Sequence, residues 1–315
     1  MILLLGATGY VGKEFEKVLT LLGLNFKAVS RSQLNYTSAI ELKHYLKSLR
    51  PDFIINAAGF TGKPNVDACE LQKEETIQGN VYFPKMLAEV CAELGIPWGH
   101  VSSGCIFSGC FVNQNGTWIA EKNMNQETIR KIANTEPHRL KGFDESFQPN
   151  FSFKDGPCSY YSGTKAWGED VIKGVGEHYV WRLRIPFNEI NNSRNYLTKI
   201  QTYAKVYDNL NSLSHLEDFV RACIACWVKH VPYGTYNVTN PGFVSTRQVV
   251  EMITKILKPK REFIFWESDE EFYRLGAKAL RSNCILDSSK LLKAGVPMRT
   301  VEDALVDSLR HWRDA

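Results

Sequence analysis

An apolar run, Ile2–Leu5, passes directly into Gly6-Ala7-Thr8-Gly9-Tyr10-Val11-Gly12, and a helical pattern follows over residues 10–22. This junction constrains the fold more than any other stretch of the chain. Glycines three residues apart permit a tight turn, a close approach of backbone to a pyrophosphate, and close packing of helix on strand. The new helix aims its free N–H groups and its dipole at the same point, so a phosphate can be held there without a basic side chain. The strand–turn–helix context predicts dinucleotide contacts at Gly6, Thr8, Gly9, Tyr10, Val11 and Gly12. A tight turn with no ligand is the plainer alternative.

The alternation continues beyond the first helix. Phe26–Val29 reads as a second strand, and Ser38 can cap a helix that the Arg50-Pro51 step ends after Leu49. Phe53–Asn56 is a third strand, 75–94 a long helix, 98–102 a fourth strand, 161–174 a helix and 179–185 a strand. Continuously apolar strands joined by helical crossovers predict an α/β chain with a Rossmann-type, doubly wound parallel sheet. Residues 108–150 are polar and weakly patterned. After residue 185 the rhythm changes to helices near 194–205, 215–229, 246–257 and 301–312, broken by short strands. The expected organisation is therefore a cofactor-binding Rossmann domain over 1–185, with a polar insertion about 110–140. A smaller mixed α/β substrate lobe over 186–315 can return strands or helices to the first.

Charge and cysteine usage narrow the partners. The 315 residues carry 38 Lys+Arg against 34 Asp+Glu, a net charge of +4. That surplus is too small for nucleic acid or a membrane surface as main partner, yet it suits an anionic small molecule. No apolar run approaches ~18 residues, and the first five residues read as a strand rather than a signal peptide, so a cytoplasmic protein is expected. The eight cysteines show no paired-knuckle spacing. Cys223 and Cys226 fall within an apolar helical pattern and read as core, and no metal site is expected.

The end of the second strand distinguishes cofactors. An acidic residue there would bond a ribose 2′-hydroxyl and repel a 2′-phosphate. This chain has Ser30-Arg31-Ser32 instead, and a guanidinium beside hydroxyls favours NADPH/NADP. Further along, Tyr161 and Lys165 stand one helical turn apart, where an ammonium near the phenol would lower its pKa for proton exchange. Ser102-Ser103 and Asn56-Ala57-Ala58-Gly59 end strands at the edge where open α/β sheets bind ligands.

Together these motifs resemble the extended short-chain dehydrogenase/reductase superfamily, in order and spacing, from end to end. The resemblance implies Ser103, Tyr161 and Lys165 as a hydride-transfer triad, cofactor contacts at Ala57 and Ala58, and a nucleotide-sugar substrate. The position after the active-site serine discriminates among members. Dehydratases of the superfamily carry an acidic pair there, whereas this chain has Gly104-Cys105.

A thiol at that point suits a second chemistry, because the C–H bonds flanking a 4-ketone are acidic enough for a positioned base and acid to invert. Cys105 titrates near neutrality in its reference state, and Lys199 is the available partner. The chain closely resembles the bifunctional NADPH-dependent 3,5-epimerase/4-reductases that form UDP-L-rhamnose, through residues 56–80, 104–107, 194–200, 237–245 and 281–290. That family implies Cys105 and Lys199 for epimerisation at C5 and C3 of UDP-4-keto-6-deoxyglucose. Which of the two is the base stays open, as does UDP against dTDP. Arg184, Arg194 and Arg281 are expected at the diphosphate, and Asn56, Thr61, Lys63 and Asn195 around the sugar beside Ser103. The ketone would come from a separate 4,6-dehydratase, and family habit would pair helices 75–94 and 161–174 in a homodimer. The rival readings are a GDP-L-fucose synthase-like enzyme, a plain 4-ketoreductase, and a non-catalytic NADP-binding regulatory subunit. Fucose synthases pair their cysteine with a histidine, which residues 186–199 lack.

Overall fold

Six parallel strands make the central sheet, in the order β2-β1-β3-β4-β8-β13. In chain order the first half runs β1 (Ile2–Leu5), α1 (Tyr10–Leu21), β2 (Phe26–Val29), α2 (Ala39–Leu49), β3 (Phe53–Asn56), α3 (Lys73–Ile77) and α4 (Phe83–Leu94). Next come β4 (Trp98–Ser103), β5 (Cys110–Gln114), β6 (Thr117–Glu121), α5 (Glu127–Thr135), β7 (Leu140–Lys141), α6 (Tyr160–Ile172) and β8 (His178–Leu183). The second half begins with β9 (Pro186–Phe187), β10 (Ile190–Asn191), α7 (Tyr196–Thr202), β11 (Leu210–Asn211), β12 (Ser214–His215) and α8 (Leu216–Val228). It continues through β13 (Gly234–Asn237), β14 (Val244–Ser245), α9 (Thr246–Leu257), α10 (Asp269–Leu275), α11 (Ser289–Lys293), α12 (Val301–Arg310) and β15 (Arg313–Asp314). This computed structural model describes residues 1–63 and 65–315; Pro64, in the 56–80 stretch, lies outside the described residues.

Strand residues alternate between two cores, as the pleat requires. Leu4, Phe53, Ile55 and Trp181 pack with Phe15 of α1 and Phe219 and Cys223 of α8 on one face. Leu3, Leu5, Ile54 and Trp98 pack with Leu42 of α2, Leu87 of α4 and Ile172 of α6 on the other. The sheet is thus covered on both sides. Its order reverses at β1, which pairs with β2 on one edge and β3 on the other. Chains leaving the carboxyl ends of β1 and β3 diverge there, opening the crevice in which such sheets take ligands. A third core joins α7, α9 and α12 through Leu197, Val249, Ile253, Ala304 and Leu305. The last sheet strand, β13, comes from residues 234–237 and pairs with β8.

Two stretches differ from the sequence expectation. The single helix over 75–94 is two helices with a π-helical turn between them, over Gln78–Tyr82. The widened turn lets Asn80 reach back to Phe60, accepting from its amide at 2.9 Å and donating to its carbonyl at 2.9 Å. The stretch read as unpatterned, 108–150, contains an antiparallel β6-β5-β7 sheet and the amphipathic α5. Asn115 and Gly116 both take positive φ (53° and 89°) in the hairpin turn, the conformation that Asn-Gly favours. The unit is stitched to the C-terminal segment by bridges Gly109↔Cys284 and Phe143↔Leu286.

Beneath the carboxyl end of β4, Glu169 of α6 accepts from Arg182 of β8 at 2.7 and 3.1 Å and from the Ser102 hydroxyl at 2.6 Å. Arg182 is 4% exposed. Removing one partner of such a pair leaves a buried charge without compensation. Glu169→Ala should therefore cost about 3–5 kcal/mol of stability in urea unfolding, and adding Arg182→Met should restore part of that loss.

Candidate active site

Gly6 has φ +80°, and a Cβ there would sit 2.6 Å from the Ala58 nitrogen, so the loops after β1 and β3 touch only because residue 6 is glycine. A Cβ on Gly12 would collide with the Gly6 carbonyl, which places α1 directly against the turn. Gly9 caps α1 with no side-chain acceptor, so the first helical amides point free into the crevice beside Thr8, Tyr10 and Val11. The Tyr10 hydroxyl donates to Asn188 Oδ1 at 3.3 Å. At the end of β2, Ser30 and Ser32 share a hydrogen bond at 2.8 Å. Arg31 is exposed, lines the cleft, and has no hydrogen-bond or ion-pair partner among the described residues.

A single cleft of about 2190 Å³ joins this crevice to the C-terminal lobe. Its walls bring together Ala57, Ala58, Ser103, Cys105, Tyr161, Lys165, Arg184, Arg194, Lys199 and Arg281, with Thr61 and Lys63 at the loop after β3. Ser103 ends β4, and its Oγ accepts from the Cys105 amide at 3.2 Å, which shapes the short 3₁₀ turn carrying the thiol. Ser159 caps α6 by accepting from the Ser162 amide, setting Tyr161 and Lys165 on the inner face of its first turns.

Burial dominates the electrostatics. It raises the Tyr161 phenol well above its ordinary value, with Cys105 adding to the rise and the Ser103 hydroxyl pulling it back. Lys165 is itself buried, which lowers its own pKa, and its Nζ donates to the Val101 carbonyl at 3.2 Å. Burial likewise raises the Cys105 thiol, partly countered by Ser103, Ser162, Arg184 and Lys165. Lys199 is lowered by burial and then by its neighbours Arg194 and Arg281.

The three arginines differ in situation. Arg194 spans the cleft mouth, donating to Thr61 Oγ1 at 3.3 Å and the Gly62 carbonyl at 2.9 Å. Arg281 makes a bidentate pair with Asp67 at 2.6 and 2.9 Å. Arg184 is 4% exposed and is tied through Nη2 to Asn211 Oδ1 and the Ser282 carbonyl. Two residues expected at the sugar lie outside the cleft wall. Asn56 bonds His100 and accepts from the Ala58 amide at 3.0 Å, while Asn195 caps α7 and donates to the Asn188 and Ile190 carbonyls. Both are fully buried, with Asn56 held between the His100 ring and the Ala58 amide and Asn195 among backbone groups and the Asn188 side chain.

The sequence reading missed Asp67, whose only local sign is a carboxylate two residues past Asn65. It also missed an aromatic wall at the far end of the cleft, where Tyr207 stacks on Phe272 at 3.8 Å beside Trp266. Residues 265–275 carried no periodic signal.

Comparison with known proteins bears on this geometry. The RmlD substrate binding domain family matches residues 1–134. A bifunctional dTDP-4-dehydrorhamnose 3,5-epimerase/dTDP-4-dehydrorhamnose reductase of Arabidopsis thaliana is 30% identical over 305 residues, covering 96% of this chain and 90% of that protein. A trifunctional UDP-glucose 4,6-dehydratase/UDP-4-keto-6-deoxy-D-glucose 3,5-epimerase/UDP-4-keto-L-rhamnose-reductase of the same plant is 31% identical over 305 residues. That match takes in 96% of this chain but only 41% of the longer protein. In fold, the chain is similar to the crystal structure of the L780 UDP-rhamnose synthase of Acanthamoeba polyphaga mimivirus, with a TM-score of 0.81, 23% identity and 98% of each chain covered. With the strand–glycine–helix crevice and the full-length match to the plant relative in hand, the chain belongs to the dTDP-4-dehydrorhamnose reductase-like family of nucleotide-sugar enzymes.

Proposed function

We propose that this protein is an NADPH-dependent 3,5-epimerase and 4-ketoreductase that converts UDP-4-keto-6-deoxyglucose to UDP-L-rhamnose. One observation carries the reading: Cys105 and Lys199 line the same cleft as the glycine loop and Ser103, Tyr161 and Lys165. A pocket for one small ligand measures about 300–1,000 Å³, so a cleft of about 2190 Å³ has room for a dinucleotide and a nucleotide sugar together. The residues present fit NADP: the backbone of Gly6 and Gly12 leaves no Cβ in the turn, the α1 amides are uncapped, and unpaired Arg31 suits a 2′-phosphate. When bound, NADPH supplies the hydride for C4 of the sugar.

The chain's own groups divide the remaining work. Arg194, Arg281 and Lys63 offer positive charge to the diphosphate, and Thr61 adds a hydroxyl. Cys105 and Lys199 exchange protons at C5 and C3, and the negative charge that develops on the C4 oxygen meets the Ser103 and Tyr161 hydroxyls. Burial keeps Tyr161 protonated at neutral pH. That is the state required to deliver a proton to the oxygen as reduction completes. The ketone itself would come from a separate 4,6-dehydratase, an activity that the name of the trifunctional relative includes. No helix among the described residues is long and apolar enough to cross a membrane.

Incubation with UDP-4-keto-6-deoxyglucose and NADPH in deuterium oxide should give UDP-rhamnose labelled at C3 and C5 by NMR. Unlabelled product would sink the epimerase half of the reading. Tyr161→Phe should slow NADPH oxidation by about 10²-fold or more while leaving exchange into the ketone measurable. Cys105→Ser should do the reverse, suppressing exchange. With Cys105 as base and Lys199 as acid, the thiol sets the acidic limb of the profile and the ammonium, lowered by burial and by Arg194 and Arg281, sets the alkaline limb. Burial raises the thiol and so keeps thiolate scarce at neutrality. Exchange should therefore climb as the pH is raised from 6, and a rate that falls from pH 6 onward would contradict Cys105 as the base.

A further inference from the structure

Among the described residues, none of the polar insertion over 110–140 lines the cleft, yet two of its side chains reach the cleft's far wall from behind. The insertion is rooted in the C-terminal lobe, since Met124 and Ile129 share one core with Leu210 of β11 and Ile285. That root sets the turn before α5 beside residues 207–209. Arg130 of α5 donates to Asp208 Oδ2 at 2.7 Å and to the Asp208 carbonyl at 3.2 Å. It also donates to Asn125 Oδ1 at 2.7 Å, which turns the Asn125 nitrogen toward the lobe. There the nitrogen donates to Asp269 of α10 and, at 3.3 Å, to the Tyr207 hydroxyl.

These bonds converge on one ring. The Tyr207 hydroxyl accepts from Asn125 and, at 3.2 Å, from Asn209 Nδ2, and it donates to Asp269 Oδ1 at 2.9 Å. With its hydroxyl held on the insertion side, the ring stacks on Phe272, and both line the cleft beside Trp266. Phe272 is buried and backs the wall, while Tyr207 and Trp266 are half-buried. A Cβ on Gly276 would stand 2.6 Å from Trp266 Cζ2, so the indole closes on the end of α10 only because residue 276 is glycine. The wall also adjoins a cation. Tyr273, packed edge-on against Tyr207 and Phe272, accepts at its hydroxyl from the Arg281 amide at 3.3 Å.

An aromatic surface one step beyond a diphosphate-binding arginine is where a nucleotide's base can stack, since every base presents a π-face. We infer that the insertion is a buttress for base recognition: Asn125 and Arg130 hold the Tyr207 and Trp266 wall against which the uracil of the substrate stacks. This rests on the nucleotide-sugar reading of the cleft. Asn125 and Arg130 are positioning residues, because they touch the wall from its outer side and act through Tyr207, Asp208 and Asp269. The insertion is then no lid over the sugar. Its effect falls on how tightly the nucleotide is held, and the proton and hydride transfers at the other end of the substrate are left to the groups around Tyr161.

The test is calorimetry of the full chain with UDP and with NADPH, alongside steady-state turnover of UDP-4-keto-6-deoxyglucose. Asn125→Ala removes the amide that links Arg130 to Tyr207. It should weaken UDP binding by about fivefold or more, the effect of losing a hydrogen bond that fixes the ring. KM should rise in step while kcat stays within about twofold of the parent protein, the pattern of lost uniform binding. NADPH affinity should also stay within about twofold, because the glycine turn belongs to the sheet half of the cleft. Trp266→Leu, which removes the ring itself, should weaken UDP by about tenfold or more. If Asn125→Ala unfolds, Arg130→Met replaces it, since Asp208 keeps Arg247 at 3.5 Å. Unchanged UDP binding in either the insertion variant or Trp266→Leu would overturn the inference. So would UDP and NADPH weakened alike, or kcat lost at constant KM, which mark a general structural role. A parent protein that binds NADPH but not UDP would instead overturn the nucleotide-sugar reading itself, before any variant is made.

Discussion

Glu169 and Arg182 meet in the dry space where α6, β4 and β8 come together, and much of the catalytic geometry hangs from that meeting. Glu169 also takes the Ser102 hydroxyl, so the strand that ends in Ser103 and the helix that carries Tyr161 are referenced to one carboxylate. A buried pair of this kind contributes little net stability against an apolar replacement, yet it fixes position sharply, because every misalignment exposes an unpaired charge. Tyr161 and Lys165 lie on the same helix as Glu169, two turns and one turn away respectively. Their approach to Ser103 follows from that common anchor.

The cleft inherits a division of labour from the two halves of the chain. The sheet supplies backbone: a glycine turn, uncapped amides and strand ends, all suited to phosphates and ribose. The C-terminal lobe supplies charge. Arg194 and Arg281 both reach across to the loop after β3, one to Thr61 and Gly62 and the other to Asp67. That loop is also held from below by Asn80 through the π-helical turn. It is therefore gripped from both lobes, and its placement depends on contacts far apart in sequence.

How much of this was legible before the structure depends on whether the signal is local. The glycine turn, the strand–helix alternation, the Tyr161/Lys165 spacing and the helix cap at Ser38 are properties of short segments, and they could be read directly. Asn56 and Asn195 could not be placed so simply. An amide side chain can serve ligand or backbone equally well, and only the fold decides which partner is nearer. The same holds for Arg184, which lines the cleft yet is tied through Nη2 to Asn211 and the Ser282 carbonyl. The burial that raises the Tyr161 phenol could not be read beforehand either, because no motif records desolvation. The 110–140 hairpin was different again, since Asn115-Gly116 is a strong turn signal and the alternation of Cys110 and Val112 is real. Its exposed β6, where Trp118 and Ile119 face solvent and break the apolar-in alternation, masked both.

The position of β13 has a consequence for how the molecule comes into being. Residues 234–237 form the edge strand beside β8, and α8 supplies Phe219 and Cys223 to the core under β1 and β3. The bridges from Gly109 and Phe143 to residues 284 and 286 extend this dependence further along the chain. The first 185 residues thus leave the ribosome with an apolar face still uncovered, awaiting partners encoded much later. Such non-local closure slows folding and prolongs the exposure of unpaired strand edges. Synthesis of this protein is therefore the period in which it is most open to misassociation, and truncation anywhere before residue 286 removes structure from the half of the molecule that has already been made.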